Sequence, residues 1–255
     1  MELRPHRPTR RRSNRSAVVV VALLAVTLTG AAARAASGRD RAEAAASYER
    51  AMVARREWLM VLREGRLEQA IAELTTATRL DSERVDAWVA LVPLLLERRD
   101  VDAAAAATIS AYRIAPRRPE TALLVAMIAY RRGDLELAEG AFASALPHLS
   151  AGWRARFEDI APIAAAADTD GLAALPSERR AERIRRFWID HDPDPATAVN
   201  EARIEYWARI AQACFLYYDA ERGEWDQRAA SCTRATVRPA GRASIRRAPS
   251  SSSCS

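Results

Sequence analysis

The residues best suited to acid–base or metal chemistry lie in one short stretch, which contains Asp190, His191, Asp192 and Asp194. Carboxylate oxygens and imidazole nitrogens are common metal ligands. All four side chains belong to a single loop, however, and the sequence places no distant histidine or cysteine at ligand spacing. The sequence therefore predicts neither a metal site nor a bound cofactor.

No other combination of nucleophile and base stands out. All 39 basic residues are arginine, which excludes a P-loop lysine and a Schiff-base lysine. No Ser-His-Asp or Cys-His arrangement is evident. A carboxylate pair could still act as acid and base, since 33 acidic residues are present and spacing alone selects no two of them. The sequence therefore names no catalytic residue.

The net charge of +6 is concentrated at the two ends of the chain. Residues 1–16 and 229–255 carry +5 each, which leaves −4 for residues 17–228. A mildly acidic central part does not offer the positive surface that a phosphate backbone requires. We therefore expect no nucleic-acid partner.

The elements that position any site begin after an N-terminal segment of export type. A basic run ends at Arg15, an apolar run covers 17–28, and small residues follow up to Ala36. This order is typical of a secretory signal. Residues 1–37 are thus predicted to be a signal peptide or an uncleaved membrane anchor, which would be the only contact with a membrane. The expected location is the periplasm or cell envelope.

Between Ala51 and Gly152 the sequence repeats with a period of 34 residues. A turn position occurs in each unit, occupied by Gly65, Arg99 and Gly133. Three further sets keep the same spacing: Ala70, Ala104 and Ala138; Ala77, Ala111 and Ala145; Leu74, Thr108 and Phe142. Small residues at fixed intervals allow the second helix of a pair to lie close to the first.

With this period, residues 51–152 resemble a tetratricopeptide-repeat protein with three units. The resemblance implies an all-α solenoid of helix pairs, here 38–163 with a capping helix at its end. An alanine-rich bundle with chance periodicity is the alternative. Pro93 falls inside a predicted helix, where proline usually bends or breaks it.

The tetratricopeptide resemblance also implies a concave face that binds a protein or peptide. The positions that usually face this groove are Arg55, Leu59, Arg63, Val89, Leu96, Glu97, Leu123, Met127, Tyr130 and Arg131. The first functional hypothesis is therefore an exported binding or scaffold protein that acts through the concave face.

After a linker at 164–174, residues 175–228 resemble part of the bacterial GWxTD domain. Proteins of this family are typically exported, and the family implies no established reaction. Its Gly-Trp-x-Thr-Asp signature corresponds here to the altered run 223–226. The matching residues are Phe187, Trp188, Asp192, Pro193, Pro195, Asn200, Glu201, Tyr206, Arg209, Trp225, Asp226 and Arg228. The alternative function is an envelope enzyme of unknown reaction with its site near Asp192 and Trp225.

The tail 229–255 is rich in Arg, Ser, Ala and Pro and has no apolar period. Such a composition cannot bury a core, so we expect a disordered tail. The tail begins where the GWxTD family continues with a β-strand. A frameshift near codon 228, which would truncate the domain, is the hypothesis that explains this change.

Overall fold

In the computed structural model, residues 37–61, 64–219 and 224–225 are described. The first six helices of the described chain form three consecutive pairs, and each of these helices packs against the next along the chain. These helices are α1 (Gly38–Val61), α2 (Glu64–Leu80), α3 (Val85–Glu97), α4 (Val101–Ile114), α5 (Pro119–Arg132) and α6 (Leu135–Ala145). The all-α prediction is confirmed, and the arrangement is that of a helical repeat.

The 34-residue period is visible in the burial of the side chains. Ala70, Ala104 and Ala138 are completely inaccessible to solvent, one in the second helix of each pair. Alanine at these positions lets neighbouring helices approach closely. The two other periodic sets are also buried: Ala77, Ala111 and Ala145; Leu74, Thr108 and Phe142.

The turns inside the second and third pairs have the same backbone geometry. Gly133 has φ 80° and Arg99 has φ 65°, so both adopt the left-handed conformation that ends a helix. Asp100 and Asp134 follow them and accept hydrogen bonds from the N–H groups of Ala103 and Leu137, 3.0 and 3.1 Å away. These aspartates cap α4 and α6.

The first unit departs from the predicted turn. Gly65 lies within the first turn of α2, and it does not adopt a positive φ. Pro93 also behaves differently from the usual effect of proline, because α3 continues through it from Val85 to Glu97. The Pro93 side chain is buried inside the core.

Ion pairs between the second helix of one unit and the end of the first helix of the next unit repeat with the same period. Glu68 of α2 accepts from Arg98 at 3.2 Å, and Asp102 of α4 accepts from Arg132 at 3.1 Å. All four side chains are substantially exposed, so each pair contributes at most about 1 kcal/mol. These ion pairs are therefore a consequence of how the helices pack, and they do not determine the packing.

The remaining elements follow the third helix pair along the chain. A 3-10 turn (Leu146–His148) leads into α7 (Ala151–Glu158), whose Phe157 is buried as expected for a capping helix. The predicted linker contains two short elements, α8 (Ala166–Thr169) and a 3-10 turn (Leu172–Ala174). Then follow α9 (Ser177–Asp190), α10 (Glu201–Tyr217), and the two-residue strands β1 (Tyr218–Asp219) and β2 (Glu224–Trp225).

β1 and β2 pair antiparallel, with Tyr218 opposite Trp225. None of the described helices is long and apolar enough to span a membrane. The predictions for the signal segment and for the tail fall outside the described residues, as do those for Arg63, Asp226 and Arg228.

Candidate functional site

The first helix of each pair contributes to one face, made by α1, α3 and α5 and called here the first-helix face. It corresponds to the predicted concave face. Helix α10 packs against α3 and α5, and it also contacts α6 and α7. Side-chain hydrogen bonds also join α10 to α1. The predicted partner-binding face is thus in contact with a helix of the same chain.

Arg55 of α1 binds the carboxyl end of α10. Its guanidinium donates hydrogen bonds to the backbone carbonyl oxygens of Phe215 and Leu216, the latter at 3.0 Å. The last carbonyls of a helix lack partners within the helix and carry partial negative charge. Burial lowers the pKa of Arg55, but an arginine keeps its charge. Arg55 therefore acts as a cationic C-terminal cap supplied by another helix.

Gln212 of α10 provides a second polar contact, this time with α3. Its side-chain amide donates to Glu97 Oε1 at 2.6 Å and to the backbone oxygen of Pro93 at 3.3 Å. Burial raises the pKa of Glu97, against the lowering effects of the Gln212 hydrogen bond and the Arg131 charge. The Gln212 Oε1 atom is buried without a hydrogen-bond partner. The contact thus joins particular polar groups of the two helices, but one hydrogen-bond acceptor of Gln212 is left without a donor.

Tyr130 marks the place where α5 meets the same helix. Burial raises the pKa of its phenol, and the charge of Glu205 on α10 raises it further, while Arg209 lowers it. Glu205 and Arg209 form an ion pair one turn apart on α10. Arg131, the next residue of α5, is exposed. Of these two predicted binding residues, Tyr130 faces α10 and Arg131 faces solvent.

The apolar residues predicted for the groove are part of the core. Leu96, Leu123 and Met127 are at most 4% exposed, and Leu59 and Val89 are partly buried against the same core cluster. That cluster also contains the buried side chains of α10. These residues therefore support the fold of the described state, and their binding of a separate partner stays a prediction.

The amino-terminal half of α10 is anchored to the capping end of the array. The Tyr206 hydroxyl donates to the Asp159 carbonyl, and Trp207 Nε1 donates to the Phe157 carbonyl at 3.3 Å. The Trp207 ring also meets Phe142 edge-on, with centroids 5.6 Å apart. Phe142 belongs to the periodic set of the repeats, so this contact joins the two regions directly.

Several residues of the GWxTD-like pattern have structural roles, as a helix cap or as buried aromatic side chains. Asn200 accepts a hydrogen bond from the Arg203 N–H at 2.8 Å, which caps α10, and it donates to the Trp188 carbonyl. Trp188 and Phe187 are buried, and their rings meet edge-on with centroids 5.1 Å apart. These contacts fix α9 against the start of α10.

The loop before Asn200 uses its carboxylates locally. Asp192 accepts from the N–H of Asp194 at 3.1 Å, and Asp194 accepts from the N–H of Ala196 at the same distance. Such Asx turns stabilise loops. Pro193 and Pro195 are exposed. In the described part of the chain, no group of three or more His, Cys, Asp or Glu side chains is arranged to hold a metal ion.

Glu201 and His191 complete the loop environment. Glu201 Oε1 accepts from the Thr197 hydroxyl at 2.9 Å, while its Oε2 is buried without a partner. The His191 ring stacks on Phe187 at 4.2 Å between centroids. For Trp225 the structure describes the backbone pairing alone. These residues therefore do not converge on a site with an evident reaction.

Gln212 is the functional candidate that the sequence did not indicate. The spacing of three and four residues predicts an apolar stripe on one face of α10, made by Ile204, Trp207, Ile210, Cys214 and Tyr217. Ile204, Ile210 and Cys214 are buried, and Trp207 and Tyr217 are partly buried. Side chains outside the stripe are buried as well: Ala202, Tyr206, Ala208, Ala213 and Leu216. The stripe alone therefore did not indicate that α10 is enclosed on its other sides.

Scans against protein-family models and searches of curated proteins and solved structures found no match for this chain. The tetratricopeptide and GWxTD resemblances therefore rest on the residue patterns alone.

Proposed function

We propose that this chain is a tetratricopeptide-type interaction module that binds an amphipathic helix on its first-helix face. The observation that carries the proposal is the position of α10 on this face. Helix recognition in a groove normally uses apolar anchors on one side of the ligand helix. In this proposal the protein is an exported scaffold, and in the absence of a partner its own helix α10 occupies the binding face.

The contacts with α10 suggest the chemistry of a competing partner. Such a helix would end over Arg55, so that its last carbonyl oxygens accept hydrogen bonds from the guanidinium. It would carry an amide side chain about one turn earlier, where Gln212 meets Glu97. Small or branched apolar residues would fill the space now taken by Ala211 and Ile210.

A separate partner helix must compete with α10 for the first-helix face. A segment linked to its own binding site acts at an effective concentration on the order of millimolar. A separate helix must overcome that concentration, so the wild-type chain should bind partners weakly unless α10 is released. Release of α10 is thus the step that makes the face available.

The test uses the full-length chain and a fluorescent peptide that copies residues 200–217. Ala211→Pro places a proline inside α10 and should break that helix. We expect this variant to bind the peptide at least about tenfold more tightly than the wild type does, which corresponds to 1.4 kcal/mol. The peptide should also raise the melting temperature of the variant, and a scrambled peptide should not.

Two arginine substitutions in the Ala211→Pro chain provide the matched comparison. Arg55→Met should weaken peptide binding because it removes the cap of the ligand helix. Arg113→Met, at an exposed position in the last turn of α4, should leave binding unchanged. A folded Ala211→Pro chain that binds the peptide no better than the wild type contradicts the proposal, as does an Arg55→Met chain with undiminished binding.

A further inference from the structure

Among the helices that the structure describes, α1 lies at the end of the array opposite to the capping elements. It exposes large apolar side chains: Val53 is 55% exposed, Met60 71% and Val61 61%. A terminal repeat normally presents a polar outer face, because it has no neighbour to cover it. At the other end, α7 and α10 cover the last helix pair. The α1 end therefore has the character of a surface that receives another element.

The spacing of the α1 outer face is that of a helix–helix seam. Starting from Ala42, the residues on this face follow intervals of four, three, four, three and four. Residues at alternating intervals of three and four lie along one face of a helix, where a second helix can pack. The members of this seam are Ala42, Ala46, Glu49, Val53, Arg56 and Met60.

When the seams of two copies run antiparallel, the acidic residue of one copy lies opposite the basic residue of the other. Glu49 and Arg56 are both exposed and stand one heptad apart, on either side of Val53. Neither takes part in an ion pair with another residue that the structure describes. By contrast, Arg50 beside the seam pairs with Glu43 and Glu73.

We propose that the outer face of α1 binds the same face of a second copy, with the two α1 helices antiparallel about a two-fold axis. In that arrangement Arg56 of each copy reaches Glu49 of the other, and Met60 packs over the small Ala46. A two-fold axis makes every such contact twice, so one acidic and one basic residue satisfy the whole interface. Val53 meets its own counterpart at the axis and supplies the apolar centre. This surface is separate from the first-helix face.

The expected dimer is weak. A helix of 24 residues is about 36 Å long. Stable protein complexes bury about 1,200–2,000 Å² of surface, and an interface made by a single pair of such helices lies at the low end of that range. Interfaces of that size are typical of transient complexes, so we expect a dissociation constant on the order of micromolar to hundreds of micromolar. Sedimentation velocity of the full-length chain over that concentration range should show a monomer–dimer equilibrium.

Substitutions on exposed residues test the face without disturbing the core. Val53→Glu and Met60→Glu should each shift the chain to monomer, because they place a charge among the apolar contacts. Ile109→Glu on α4 replaces an equally exposed apolar residue, at 60% exposure, and should leave the dimer intact. Circular dichroism verifies that all three variants are folded. A chain that is monomeric at every concentration, or that dimerises equally in all variants, overturns the proposal.

A charge exchange identifies the two-fold pairing itself. Glu49→Arg alone and Arg56→Glu alone each create two like-charge contacts, and each should weaken self-association on the order of tenfold. A mixture of these two variants restores both opposite-charge pairs in the heterodimer, because one chain carries two arginines on the seam and the other carries two glutamates. Heterodimers should therefore form more readily than either variant forms homodimers. If the mixture associates no better than the separate variants do, the antiparallel pairing is wrong.

Discussion

The three helix pairs and helix α10 are held in place by different kinds of contact. Between the pairs, the contacts recur every 34 residues and consist of small apolar side chains such as Ala104 and Ala138, both fully buried. Around α10, polar contacts that do not repeat are added to the apolar side chains that the helix buries in the core. Arg55, Gln212 and Tyr206 each bond to a backbone carbonyl far away in the sequence.

This difference separates stability from specificity in the molecule. Repeated alanine contacts fix the distance between helices, but they fit any neighbour of the same shape. Polar side chains that bond to particular carbonyls fix which helix is bound and where it ends. We infer that the array provides the frame and that the polar contacts select its ligand helix.

The largest effect is expected at Phe142, the position where the two regions meet. Its ring is fully buried, occupies the periodic position of Leu74 and Thr108, and lies against Phe157 and Trp207. Phe142→Ala should therefore cost about 3–5 kcal/mol, since it leaves a cavity in both regions. Chemical denaturation of the full-length chain measures this loss.

Thr108→Ala is the matched control for that change. Thr108 has the same register in the second unit, where its hydroxyl bonds to the Ala104 carbonyl at 2.8 Å. Its replacement removes little volume and should cost about 1 kcal/mol. Equal losses at Phe142 and Thr108 would mean that the junction with α10 adds nothing to the periodic position.

A smaller effect is expected within the repeats alone. Ala138 is completely buried where α6 packs against its neighbours, so Ala138→Leu should overpack this contact and cost about 1–3 kcal/mol. Ala106→Leu on the exposed side of α4 should change the free energy of unfolding by less than about 0.5 kcal/mol. An unchanged melting midpoint for Ala138→Leu would contradict the assignment of the period to helix crossings.

The fold of the repeats could be predicted because each unit solves the same packing problem. The period indicated that Ala70, Ala104 and Ala138 are buried, and it placed Arg99 at a turn position. The left-handed conformation of Arg99 shows that the neighbouring contacts determine that turn even without glycine. The repeating pattern therefore predicted the second and third units, but not the start of α2 at Gly65 or the continuous helix through Pro93.

The place of α10 could not be predicted from the same information. Its contacts join Arg55 to Leu216 and Pro93 to Gln212, residues that are 161 and 119 positions apart. Nothing in a single sequence relates such positions, because neither contact repeats. The apolar stripe of α10 indicated one buried face, while the surface that covers the helix depended on tertiary structure.

The most subtle prediction concerns the Glu97–Gln212 contact and its pH dependence. Burial raises the pKa of Glu97 in the folded chain, so the folded state holds this proton more tightly than the unfolded state does. The contribution of Glu97 to stability is thus greatest below its ordinary pKa, and it declines as pH rises through the higher folded value. Glu73 and Asp100, whose pKa values are lowered by hydrogen bonds, produce the opposite trend.

Glu97→Gln isolates this group because the other carboxylates are common to both proteins. The variant cannot ionise at position 97, and its amide can donate to the buried Gln212 Oε1 atom that lacks a partner. Its melting temperature should therefore exceed that of the wild type by an amount that increases with pH. Adding Gln212→Ala should reduce the gain, since the new hydrogen bond loses its acceptor. If the wild type instead has the higher melting temperature and the difference grows with pH, the ionised Glu97 stabilises the packing of α10 on α3.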